Sequence, residues 1–279
     1  MLKTRVITAV LILAAFLPSL FYLSQRYWAL AVALIAGVAA WEWGGLVRLG
    51  GKGRVGYGLL VATICILASV LVPAAIGDGD LVSPAHSGVL LLYGAAVLFW
   101  AVIVPLWLRN KWQLAKGVVG GLVGLLVIVP AWLALVQLRL LGPAGLLAIL
   151  ALVWMADIAA YFAGKNFGRH KLAPSISPGK TWEGALGACI GVLLYGVAMR
   201  YVFAFDGVPL PLWVVALVVV TAVSVVGDLF ESLLKRQVGL KDSSQILPGH
   251  GGVLDRIDSL TSTLPTVALL WLIYVSRTA

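Results

Sequence analysis

The amino-acid sequence predicts an all-α protein, a polytopic transmembrane helical bundle of about nine spans, with a cytoplasmic N-terminus and an external C-terminus. Three observations carry this prediction. Of 279 residues, 62% are hydrophobic and 11% charged, with a mean hydropathy of +1.05, whereas soluble domains carry about a quarter charged residues. Apolar runs of ~20 residues, long enough to cross the hydrocarbon layer, recur along the whole chain. The charges between those runs alternate, with sixteen of the twenty lysines and arginines falling on one side.

The runs lie near 6–23, 27–47, 55–76, 88–108, 118–138, 144–164, 184–204, 211–233 and 259–276. The first follows Lys3 and Arg5 as a secretory signal would, but it is long for one and lacks a small-x-small cleavage site, so it reads as a retained span. Later connections return to the same side with Arg48, Lys52 and Arg54, then Arg109, Lys111 and Lys116, then Lys165, Arg169, Lys171 and Lys180, then Lys235, Arg236, Lys241 and Arg256. The other side receives Arg26, Arg139, Arg200 and Arg277. The net charge of +9 is therefore the asymmetry of a protein in an inner (plasma) membrane, and no nucleic-acid partner is implied. The external loop from Gly77 to Ser87, with Asp78 and Asp80, carries no chemistry. Cys65 and Cys189 stand singly inside apolar runs, which suits neither a disulfide nor a zinc site. There is no internal repeat, so residues 1–279 read as one membrane domain, with N-terminal helices over 1–140 and the chemistry over 141–279. Two cytoplasmic loops, 165–183 and 234–258, are too long and too polar to be simple connectors.

Acidic residues are scarce, eleven in all, and five lie between Asp228 and Asp258. Asp228 and Glu231 are three apart near the end of the eighth span, where a helix puts both on one face. Asp255 and Asp258 repeat that spacing where the ninth begins. Carboxylate pairs on two neighbouring helices are hard oxygen donors suited to Mg²⁺ and to phosphoryl chemistry. Asp255 or Asp258 alone reads equally well as a helix-start residue, but an acid inside a span costs ~2.5–3.5 kcal/mol on insertion and is functional by default. Between the pairs stand Lys235, Arg236, Lys241 and Asp242, then Pro248-Gly-His-Gly-Gly252. There Gly251 and Gly252 let backbone N–H groups approach phosphate oxygens, and the basic residues supply counter-charge.

The other loop carries Ser177, Lys180 and Thr181 in Pro174-Ser-Ile-Ser-Pro-Gly-Lys-Thr-Trp-Glu183. It is not a P-loop, since proline stands where glycine is needed and no strand–helix context precedes it; it reads equally as a phosphate contact or as an ordinary turn. Asp157 in the sixth span points into the bundle, either as a substrate-binding acid or as the partner of a neighbouring cation. Glu42, between Trp41 and Trp43, reads as interfacial. His86 and His170 are isolated and take no role.

The run from Ser232 to Asp258, with its Lys235-Arg236 pair, Lys241-Asp242, His250-Gly-Gly252 and Asp255-Arg-Ile-Asp258, resembles the signature of the phosphatidate cytidylyltransferase (CDP-diacylglycerol synthase) family. The likeness continues upstream in Asp157 to Gly164 and Lys171 to Gly184, while the first spans share only hydropathy. The resemblance implies that CTP and phosphatidate, a membrane lipid, give CDP-diacylglycerol and pyrophosphate, that Mg²⁺, alone or with a second cation, is required, and that the protein is a homodimer. It implies that Asp228, Asp255 and Asp258, with Glu231, hold metal. Lys235, Arg236, Lys241, His250 and Arg256 would contact phosphates, with Asp242 orienting Lys241 or His250. Rival readings are another CTP-using membrane enzyme, such as a polyprenol kinase or an ether-lipid cytidylyltransferase, and a transporter lined by Asp157 and Asp228.

Overall fold

The computed structural model describes residues 2–77, 85–204 and 207–278. Its helices are α1 (Leu2–Tyr22), α2 (Gln25–Leu46), α3 (Gly51–Leu71), α4 (Ala85–Leu98), α5 (Val104–Asn110), α6 (Val118–Leu138), α7 (Pro143–Phe167), α8 (Trp182–Val202), α9 (Leu210–Gln237) and α10 (Leu254–Thr278). A π-helical turn, Phe99–Ile103, joins α4 to α5 into one crossing. It lies just before Pro105, which has no N–H and crowds the preceding turn, so the widened turn absorbs the misfit. Among the described residues, nine helical segments are long and apolar enough to cross a membrane, and the protein is multi-pass. Leu91 and Leu194 are 75% and 72% exposed, an arrangement that suits lipid as solvent. Asp78 and Asp80 lie outside the described residues, as do the side chains of His86 and Arg277.

Helices α2, α3, α4, α6 and α10 enclose the main core, with Trp28, Trp43 and Trp100 fully buried. A second cluster, Ala156, Ala188, Val192 and Leu217, joins α7 and α8 to α9. The α7–α8 seam is made of Ala159, Ala163, Gly187 and Gly191, small residues that let two membrane helices approach closely. Phe230 of α9 is ringed edge-on by Phe99, Trp100 and Trp107, which sets the rotation of α9 about its axis.

The two ends of the bundle separate the loops as the charge alternation requires. At one end Arg48 Nη2 and the loop after α5 reach Gln237, where Leu114 N donates to its Oε1 at 3.0 Å, and Thr8 Oγ1 donates to Pro248 O. At the other, Gln25 donates to Ile76 O and Val136 O, and Arg139 Nε donates to Leu20 O.

Helix bounds differ from expectation around the second polar loop. Helix α9 runs on to Gln237, so Lys235 and Arg236 stand on a helix, and α10 begins at Leu254, so Asp255 and Asp258 lie in its first turns. Hydropathy marks only the lipid-immersed part of a helix, and these ends continue into polar surroundings. The other loop, where the sequence suggests a phosphate contact or an ordinary turn, holds a small antiparallel hairpin, β1 (Lys171–Ala173) against β2 (Ser177–Thr181). Ile176 at its tip is buried against Leu229 and Leu233 of α9.

Candidate active site

The site begins where α9 and α10 touch. A side chain at Gly227 would meet Ser262 Oγ and, at 3.0 Å, the carbonyl of Asp258, so glycine lets the two backbones come together just before Asp228. Ser262 Oγ donates across the seam to Val223 O at 2.9 Å. The approach brings the carboxylates of Asp228 and Asp258 into mutual influence, with Asp157 of α7 acting on both. The charge of Asp258 also bears on Glu231. Four carboxylates on three helices are thus linked in a row, each under the charge of the next.

Each end of the row is closed by lysine. Lys180, carried by the hairpin that Ile176 docks onto α9, makes an ion pair with Asp228 Oδ2. Ser232 Oγ lies 3.3 Å from Asp228 Oδ1. At the other end Lys235 Nζ is 3.0 Å from Glu231 Oε1 and 2.6 Å from Asp255 Oδ1. The Glu231 oxygens are buried, with Lys235 held against Oε1. A cavity of about 350 Å³ opens beside the row. Asp157, Tyr161, Lys165, Lys180, Asp228 and Ser259 are among its walls.

The loop after α9 is wound around two other carboxylates. Asp255 Oδ2 accepts from Ser243 N and Gly252 N, both at 2.8 Å, and from Ser243 Oγ at 3.0 Å. Glu42 of α2 is fully buried and accepts from Ser244 Oγ, Val253 N, Leu254 N and Ser243 Oγ. A turn closed by Leu247 N donating to Gly251 O at 2.8 Å presents His250, with Gly249 and Gly251 at φ of +78° and +81°, values that favour glycine. Arg236, Lys241 and Arg256 are exposed at this end. Gln245 Nε2 lies 3.4 Å from Asp242 Oδ2.

The structure therefore divides the residues that the sequence grouped. Asp157, Asp228 and Lys180 come together at the cavity, whose α10 wall is Ser259, and Asp258 lies under the charges of the two acids. Lys235, expected on phosphate, is instead buried between Glu231 and Asp255, because α9 continues past it and turns it inward. Asp255 is occupied in holding the loop. Thr181 is buried and accepts from Gly184 N at 3.1 Å as the cap of α8, and Ser177 opens β2. Glu42 is not interfacial: it is fully buried and takes donors from the loop after α9 and from the start of α10. The missed signal was its place inside an apolar run, the criterion that singled out Asp157 and Asp228. His170 is not isolated either, since its Nδ1 meets Glu183 Oε1 at 2.6 Å across the base of the hairpin.

Among the described residues no three acidic, His or Cys side chains are drawn within reach of a single ion. The donor chemistry still fits a hard divalent cation, because Asp157 and Asp228 line one cavity from two helices and the charges of both bear on Asp258 of a third.

A sequence model of the cytidylyltransferase family matches residues 3–274. The chain is 40% identical to a phosphatidate cytidylyltransferase of Pseudomonas aeruginosa, over 97% of each protein. It is 35% identical to one from Haemophilus influenzae, over 95% of this chain and 96% of the relative. With one from Brucella suis it shares 46% identity over 127 residues, 44% of each. A match from the first helix to the last, joined to a site that gathers the acids and the lysine of both polar loops, shows that the chain belongs to the cytidylyltransferase family.

Proposed function

We propose that this protein transfers the cytidylyl group of CTP to phosphatidate, giving CDP-diacylglycerol and pyrophosphate, with Mg²⁺ bound at Asp228 and Asp258. The observation that carries the reading is the pair of acids in the cavity wall, Asp157 and Asp228, with Lys180 paired to Asp228 and Asp258 under the charges of both. An oxygen of the lipid phosphate attacks the α-phosphorus of CTP and forms the new P–O bond. The bond from that phosphorus to the bridging oxygen breaks, and pyrophosphate leaves with the electron pair. The attacking oxygen is already anionic, so no strong base is needed. Bound at Asp228 and Asp258, Mg²⁺ supplies positive charge for the triphosphate.

The chain's own residues do the rest. Asp157 shares the cavity and completes the acidic wall. Lys180 and Arg256 neutralise phosphate charge near the acids, and Arg236, Lys241 and His250 meet the outer phosphates at the rim. Asp255 and Lys235 hold the loop that presents them. The side on which basic loops gather supports a cytoplasmic site in the inner membrane, where CTP is available. A homodimer rests on the family resemblance and is checked by the mass of the protein in detergent.

The test supplies purified protein in mixed micelles with CTP, phosphatidate and Mg²⁺, and weighs the lipid product. A lipid heavier by a cytidylyl group is expected. A lipid heavier by one phosphate, with CDP released, means a kinase and overturns the reading.

A further inference from the structure

We infer that Glu42 is a positioning residue for the transfer reaction, fixing the start of α10 and, through it, Asp258. The inference rests on the function proposed above. Glu42 stands one turn from the end of α2, in the half of the chain remote in sequence from the site, and is 0% exposed. Its Oε1 accepts from Ser244 Oγ at 2.6 Å and from Val253 N at 3.0 Å, and its Oε2 from Leu254 N at 2.6 Å and Ser243 Oγ at 3.2 Å. Each oxygen therefore takes one backbone N–H; Ser244 adds its hydroxyl to Oε1, and the single hydroxyl proton of Ser243 is shared between Oε2 and Asp255 Oδ2.

Leu254 is the first residue of α10. The first N–H groups of a helix have no partner within it, and a side chain just before the helix usually supplies one. Val253, in that place, has no side-chain oxygen. Glu42 caps α10 from another helix instead, with its charge at the positive end of the helix dipole. Asp258 lies one turn further along the same helix, so a shift of the helix start carries its carboxylate away from Asp228. Misplacement by about 1 Å can cost a hundredfold in rate. Gly252 belongs to the same arrangement: a side chain there would run into Glu42 Oε1 and Ser243 Oγ.

Two variants test this. Glu42→Gln keeps the shape but turns an amide N–H₂ towards a backbone N–H, and Gly252→Ala wedges the loop off an intact Glu42. Mn²⁺ affinity is measured by electron paramagnetic resonance on purified, monodisperse protein without nucleotide, beside the half-saturating Mg²⁺ in cytidylyl transfer. Both variants are expected to bind Mn²⁺ at least tenfold more weakly and to turn over about a hundredfold more slowly. A role in folding alone lowers yield or Tm and leaves the metal affinity of folded protein in place. A change below threefold in Mn²⁺ affinity in the folded variants overturns the inference, and if Glu42→Gln does not fold, Gly252→Ala decides. An unsubstituted protein that transfers no cytidylyl group overturns the proposed function, and this inference falls with it.

Discussion

Single carboxylates in this bundle have different tasks because their partners differ. Asp228 lines the cavity and Asp258 lies under its charge, each with few internal donors, whereas Asp255 and Glu42 are saturated by backbone and serine donors. Asp228→Asn is expected to lower turnover by about a hundredfold to a thousandfold, the scale on which loss of a charge-stabilising group acts, while Tm stays within a few degrees. Lys52→Ala, at the exposed start of α3, serves as a control with unchanged turnover. Lys235 behaves differently. Lys235→Met leaves Glu231 and Asp255 buried beside each other without their cation, and breaking such a pair costs ~3–5 kcal/mol. The measured signature is a lower Tm in detergent and loss of folded protein, in contrast to Asp228→Asn.

At the scale of elements, the hairpin and the α9–α10 seam place the chemistry. Ile176 anchors the hairpin on Leu229 and Leu233, and so delivers Lys180 to Asp228. Ile176→Ser is expected to free the hairpin, seen as faster proteolysis within 168–181 and at least tenfold slower turnover. At the seam, Gly227→Ala drives a methyl group into Ser262 Oγ. The seam must open, which is read as a lower Tm together with reduced turnover. Sequence reading found the helices, since apolar runs report immersion in lipid directly, and it found both polar loops from their charge. It missed the hairpin, whose strands are short and polar, and it stopped α9 and α10 early because helical turns beyond the lipid carry no hydropathy signal. The resemblance named the residues of the signature but not their division. Which carboxylate meets a cavity and which meets a backbone N–H is decided by helix rotation, which Phe230 and its aromatic ring of neighbours set through contacts distant in sequence.

For the whole molecule, α10 is the element on which both halves of the chain converge. It packs on α6, α4 and α2 as well as on α9, and Glu42 caps its start from the N-terminal half. Truncated proteins lacking the first helices should therefore lose the site as well as the fold. The alternation of charge, matched by the gathering of basic loops at one end of the bundle, predicts that a single cysteine placed at Lys111 is labelled by impermeant reagent only from the cytoplasmic face, and one at Gly207 only from outside. The central claim is that cytidylyl transfer to phosphatidate depends on Asp258 in the carboxylate row. Its most direct measurement supplies CTP labelled in the α-phosphate, phosphatidate and Mg²⁺ to purified unsubstituted protein and to folded Asp258→Asn. The account predicts label in the lipid phase with the first and background with the second; label confined to water-soluble nucleotide in the first, or equal lipid label from both, contradicts it.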